Sequence, residues 1–338
     1  MKRLTVAGRL LITALVIGAI FVGYKYFGGQ QALEKVAQEQ KSTVDSVSSN
    51  SESSETSDAS SNENPASAPS KQAFDYTAPE PVNGKLKGVV ELGASGFNSF
   101  IIKVDSEKRW KLEKSEFGNS LVTENMATDE DIRIGLKKYI GTMLDFGVGK
   151  KDIHFVVSSG AAKADVTKKI TAALKSLGYV VNQVTAEQEG QLALKSVLPA
   201  DYATKSFVVD IGSGNTKISW IAGSGIKAIE TYGAKYFQEG TDDKKVYDEV
   251  SAKAKQVPSE LRKTAFIIGG VPFEMAKEVR KDKERFTVLS APSDYSKLSN
   301  AKSKAGINIY KAVADATGCQ QFVFDWDANF TIGFLLTL

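Results

Sequence analysis

Apolar positions along residues 86–338 recur with two periods, and their alternation predicts an α/β fold. Residues 86–91 and 100–105 read as the two strands of a hairpin, and 110–113 as a third strand. From Thr128 onward, Ile132, Leu136, Tyr139, Ile140, Met143 and Leu144 fall at helical spacing, until Gly147 and Gly149 end the run. Ile153–Val157 is a continuous apolar stretch, as in a buried strand. Val166, Ile170, Ala173, Leu174 and Leu177 line one face of a helix over 165–177, and 179–184 reads as a strand. Thr185 and Gln188 have capping-box spacing, so a short helix opens there with Glu187 and Glu189 in its first turn. The apolar run 207–209 ends in Asp210. After a glycine turn the chain returns with Lys217 and Ser219 alternating against Ile218 and Trp220, a second hairpin. A loop is expected next, then a helix over 244–255 that Pro258 ends. A strand over 264–268 follows, running into Gly269-Gly270, with Pro272 suited to the first turn of the next helix. Residues 306–317 read as a helix. The apolar run 330–338 is too short to cross a bilayer and is expected to close the core.

The two hairpins share a pattern of apolar strand, acid and glycine turn. Glu91-Leu92-Gly93-Ala94-Ser95-Gly96 stands about 120 residues before Asp210-Ile211-Gly212-Ser213-Gly214-Asn215, a spacing that suits two similar half-domains facing across a cleft. Glycine permits positive φ, which turns successive N–H groups toward one point. A concave row of N–H groups binds anions, phosphate above all. The candidate phosphate-binding residues are therefore Gly93, Ala94, Ser95 and Gly96, and Gly212, Ser213, Gly214, Asn215 and Thr216. Gly269 and Gly270 add a third contact at a helix N-terminus. Asp210, at the rim, is placed to hold a metal or a water against phosphate. A glycine-serine turn is equally common as plain structure. Acids at 187 and 189 suit the helix dipole whether or not one of them faces the cleft.

Composition narrows the function. The formal net charge of +3 is too near neutral to point to nucleic acid. A single cysteine, Cys319, excludes an intrachain disulfide and a cysteine metal site, and reads as a buried small apolar residue. A single histidine, His154, argues against a Ser-His-Asp triad and a histidine-rich zinc site. Residues 1–30 are basic and apolar. Within them 10–27 are expected to form a membrane anchor, long enough to reach across the hydrocarbon and contact the lipid bilayer; a cleaved signal peptide is the alternative, though no small-x-small cleavage site follows the run. Lys2, Arg3 and Arg9 are expected to hold the N-terminus in the cytoplasm and place the globular part outside it. Residues 31–85 are rich in serine and proline and read as a disordered tether.

Taken together, the motifs resemble the exopolyphosphatase / guanosine-pentaphosphatase (Ppx/GppA) family of the actin–Hsp70–sugar-kinase superfamily. The likeness runs over nearly all of 86–338. Glu91 to Asn98 is similar to the family's first phosphate loop, Asp210 to Thr216 to its second, and Val184 to Leu192 to its glutamate motif. The resemblance implies two ribonuclease-H-like lobes, 86–200 and 201–338. It also implies a magnesium-assisted attack of water on the terminal phosphoanhydride of polyphosphate or a nucleotide polyphosphate. Carried over by position, Glu189 is the base, and Asp210 and Glu91 are the metal-side acids. The chain departs from the family pattern at Glu91 in place of aspartate and at Gln188 in place of glutamate. Lys217 stands where a metal-site glutamate is common, and Lys163 near a usual arginine. Losing acids and gaining a lysine weakens a Mg²⁺ site, because a hard dication needs oxygen ligands. Two functions are thus expected side by side: a membrane-anchored phosphoanhydride hydrolase, or a catalytically degenerate phosphate or nucleotide sensor or scaffold of the cell envelope. The sequence leaves the oligomeric state open.

Overall fold

Each lobe is built on a hairpin whose strands are buried on both faces. The computed structural model describes residues 74–93, 96–117, 129–162 and 165–338. The expected membrane segment, most of the tether, Ala94, Ser95 and Lys163 lie outside these. Among the described residues no helix is long and apolar enough to cross a membrane. Strand β1 (Lys85–Gly93) returns as β2 (Gly96–Val104), with Glu91 opposite Asn98 and Gly93 opposite Gly96. β3 (Trp110–Phe117) continues the antiparallel run and is longer than its apolar residues predict. Helix α1 (Asp129–Asp145) leads to β4 (Ile153–Val157), and α2 (Asp165–Ser176) to β5 (Val181–Gln183). Both strands run parallel to β1, and the sheet order is β3-β2-β1-β4-β5.

Helix α3 (Ala186–Val197) then carries the chain to the second sheet. β6 (Ser206–Ile211) and β7 (Asn215–Ala222) form the second hairpin, with Asp210 opposite Lys217. The segment expected as a loop after it is instead a strand, β8 (Gly225–Tyr232), paired along its whole length with β7. There follow α4 (Asp243–Ala254), β9 (Thr264–Gly269), α5 (Gly270–Val279), β10 (Phe286–Val288), α6 (Ala301–Thr317), β11 (Phe322–Asp325) and α7 (Phe330–Leu336). The order is β10-β11-β9-β6-β7-β8. Without β10 this repeats the first sheet strand for strand. The internal duplication read from the two glycine turns is thus a duplication of whole three-stranded meanders with two parallel crossovers.

The two sheets are joined through a shared apolar layer. Val89, Phe100 and Val156 from the first sheet and Val208, Phe266 and Val323 from the second pack against Ala193, Leu194 and Val197 of α3. Phe330, Ile332 and Leu335 of α7 complete this layer. The C-terminal run therefore closes the core as expected, but between the lobes and not within one of them. Gly333 makes the approach of α7 to α3 possible, since a Cβ there would lie 1.9 Å from the Leu192 carbonyl oxygen. Residues 74–84, expected to belong to the tether, are seated on the globular part. The Phe74 ring packs 5.2 Å from Tyr202 and 5.6 Å from Phe266, and the Val82 amide donates to Asp105 at 2.9 Å.

Candidate ligand site

The α3 helix starts between the two hairpins because its cap is fixed locally. The Thr185 hydroxyl accepts from the Gln188 amide at 3.2 Å, and the Gln188 side chain accepts from the Thr185 amide at 3.0 Å. Gln188 is thus engaged in the cap. Glu187 is exposed and Glu189 is buried, so of the two first-turn acids only Glu189 faces inward. Gly190 lets this turn lie against the second sheet, since a Cβ there would meet Ala228 at 2.8 Å and Lys217 at 3.2 Å.

A cavity of about 520 Å³ opens between the sheets, within the usual range for small-molecule sites. It brings together Glu91 and Gly93 of the first hairpin, Glu189, and Asp210, Gly212, Ser213, Gly214 and Asn215 of the second, with Gly269 and Gly270. Thr216 is not among the lining residues. Its side chain is fully buried and its hydroxyl has no partner, so only the backbone of that residue belongs to the turn. Gly212 and Gly214 do not take the positive φ that their sequence context predicts. They are glycines because the chain is crowded: a Cβ at Gly212 would lie 2.6 Å from the Asn215 carbonyl oxygen, and one at Gly214 3.2 Å from the Gly160 Cα of the other lobe. The Ala234 and Lys235 amides bond the Gly212 and Ser213 carbonyls, both at 2.9 Å, and hold the turn from behind. Gly269 does need its conformation, with φ at +115° and the Ile211 carbonyl oxygen 2.2 Å from any Cβ. It sets the first turn of α5 beside Ile211.

Each hairpin acid faces a side-chain donor on the returning strand. Glu91 lies opposite Asn98, whose amide donates to its carboxylate at 2.9 Å. Asn329, the N-cap of α7, donates to the same oxygen at 3.1 Å. Burial, with help from the charges of Glu189 and Asp210, pushes the Glu91 carboxyl up to about 7. Asp210 lies opposite Lys217, and its carboxyl is also raised, by burial against the lowering effect of the Lys217 charge. The Lys217 ammonium donates to Glu189 Oε1 at 2.5 Å, with both side chains buried. Glu189 Oε2 accepts from the Ser159 hydroxyl at 2.5 Å and the Ser159 amide at 3.0 Å. Asn215 extends the network across the cleft, donating to Ser159 at 3.0 Å and to Glu230 at 2.6 Å.

This donor set does not suit magnesium. Among the described residues no three acids, histidines or cysteines are grouped to hold a metal ion, and an ammonium rests on the acid expected to act as base. Sequence reasoning missed Ser159, although Ser158-Ser159-Gly160 after the apolar run of β4 is itself a strand-to-glycine signal. It also missed the far end of the cavity, which is apolar and formed by Phe117, Phe273, Phe324 and Trp326, with Lys302 beside it. The Phe117 and Phe273 rings meet across the lobes at 6.0 Å. Cys319 and His154 play no part. Cys319 is buried in the second lobe with its thiol pushed up to about 11, and His154 sits in β4 against Phe334.

The strand order and the position of this cavity can be set beside known structures. No family model matches the chain, and no curated protein does. Among solved structures, an exopolyphosphatase from Cytophaga hutchinsonii aligns with a TM-score of 0.60 at 15% identity, over 75% of this chain and 97% of that one. The chain has the two-lobed, actin-like fold of the Ppx/GppA phosphatases. A Ppx/GppA enzyme of Aquifex aeolicus aligns with a TM-score of 0.56 at 16% identity, over 75% of this chain and all of that one. A further crystal structure of the family member from that organism gives 0.54 at 18%, over 75% and 97%. Identities in this range establish a shared fold. What this chain does depends on its own residues.

Proposed function

We propose that this protein binds condensed phosphate, as polyphosphate or a nucleotide polyphosphate, between its lobes and does not hydrolyse it. The observation that carries the reading is the state of Glu189. A general base must offer a carboxylate lone pair to the attacking water. About three of the four acceptor positions of Glu189 are filled, two by Ser159 and one by the buried Lys217 ammonium. The glycines line the cavity, where the absence of side chains lets a chain of phosphates approach the backbone. The aromatic end gives a nucleotide's ring a surface that bare polyphosphate would leave empty. The reading places the globular part outside the cytoplasm, anchored through residues 10–27, where it senses or retains phosphate at the envelope. A reporter fused after Leu338 tests that placement, and activity of a cytoplasmic-only reporter would reverse it.

The functional test is phosphate release by the full chain with Mg²⁺ and either polyphosphate or ATP, alongside thermal unfolding with each ligand. The expected result is no release above a protein-free blank, with a ligand-dependent rise in Tm. Release that disappears in Glu189→Gln would establish a hydrolase instead.

A further inference from the structure

Lys217 is a buried cation with more donors than partners. Its side chain is 2 % exposed. An ammonium carries three N–H donors, and a buried charge is costly unless those donors are met. Glu189 takes one, and no other protein acceptor for this ammonium is present among the described residues. The side chain borders the cavity, and its Nζ lies 3.6 Å from the point a Cβ on Gly212 would occupy, at the base of the second glycine turn. The carboxylates of Glu91 and Asp210 share that floor. Where these acids are ionised, an anion approaches them best with a cation between, which is the ordinary service of a divalent metal in phosphate sites. The duplicated hairpins make the substitution visible. The position across from the acid holds a neutral asparagine, Asn98, in one lobe and the ammonium in the other. A second lysine, Lys302, lies 3.5 Å from the Cβ position of Gly270, so ammonium groups border two of the three glycine sets that face the cavity.

We propose that the Lys217 ammonium takes the place of a divalent cation, so that condensed phosphate binds against it directly and binding requires no metal. The inference rests on the reading that the cavity takes phosphate, and goes further by assigning the group that receives it. An ammonium on a fixed stem neutralises charge as a metal would, but it cannot bring a water to the phosphorus. The site would therefore hold its ligand without turning it over.

The test is calorimetric titration of the full chain with inorganic tripolyphosphate, once in excess EDTA and once in excess MgCl₂. Binding is expected in EDTA, at least as tight as in MgCl₂, where Mg²⁺ complexes the tripolyphosphate and competes with the protein for it. Lys217→Met leaves Glu189 buried without its counter-charge and risks the fold, so the informative variant is the pair Lys217→Met with Glu189→Gln, which removes both charges together. It is expected to keep the wild-type far-ultraviolet dichroism and to weaken tripolyphosphate binding in EDTA by about tenfold or more, the scale of a lost charge-assisted contact. Glu189→Gln alone frees the ammonium and is expected to bind at least as tightly as wild type. Binding that needs Mg²⁺, or a double variant that binds in EDTA as wild type does, overturns the role of Lys217 while leaving the phosphate reading intact. No binding in either buffer overturns the phosphate reading itself, and this inference with it.

Discussion

Glu91 shows how the site acts on stability as well as on ligand. Its carboxyl is raised from the usual 4.5 to about 7 by burial. Below pH 4.5 the group is protonated in both folded and unfolded chains. Between the two values only the folded chain keeps the proton, so stability falls as pH rises through this window and levels off above it. The loss attributable to Glu91 is about 3 kcal/mol, and Asp210 adds to it in the same direction. Glu91→Gln should flatten the urea-unfolding stability profile between pH 4.5 and 7 and leave the variant more stable than wild type above pH 7. An unchanged slope would mean that the carboxyl titrates normally. At this scale the sequence was informative for residues set in a glycine turn or a cap. Asp210, Gly212 and Glu189 are marked by the backbone features around them. Ser159 stands before a glycine and Asn329 caps α7, but each reaches the site through one side chain carried there by a strand or helix end remote in the chain, so the local signal does not reveal its role. Lys217 was legible only as a departure from a pattern. Its partner, Glu189, is 28 residues away, and nothing local announces the pair.

Among the elements, α7 and α3 are held together by one missing side chain. Gly333→Ala puts a methyl 1.9 Å from the Leu192 carbonyl carbon's oxygen, where backbone must move to admit it. A cost of about 2–4 kcal/mol is expected, as for an overpacked core site at the severe end. Chemical denaturation of the variant measures it, and a loss below about 1 kcal/mol would show that the helices can slide apart. The same scale explains which elements the hydrophobic pattern reveals. β4 and β6 are buried on both faces and read as unbroken apolar runs. β8 is an edge strand with Lys227 and Glu230 exposed, and its alternation breaks at Ala228-Ile229, so it passes for a loop. β10 and β11 are short and join no tight turn. α6 starts five residues before its first apolar stripe because Asn300 caps it, accepting from the Ser303 amide at 2.9 Å. Its first turn is lysine, serine and alanine, with no helical periodicity.

Over the whole molecule, two ties outside the cavity add to the contacts that cross it. One tie is the apolar layer of α3 and α7. The other is Arg285, which grips Asp325 of the second sheet at 2.9 and 3.0 Å while its guanidinium lies 4.4 Å over the Trp110 ring of the first. Arg285→Met would leave the buried Asp325 without a counter-charge, and a loss of about 3–5 kcal/mol is expected in denaturant titration. Hydrogen exchange in that variant should rise at the lobe junction more than in either outer core. Two similar halves with a cleft between them were legible in the paired glycine turns, and the third strand of the second half was not. The chemistry of the cleft was not, since it depends on how two halves bring single side chains together. The most direct check is therefore a crystal structure of the protein with tripolyphosphate and EDTA. The account predicts a phosphate oxygen within hydrogen-bond distance of Lys217 Nζ, cradled by Gly212–Asn215, with no metal between them. Phosphate bound away from Lys217, or reached only through a metal ion that survives the chelator, would contradict it.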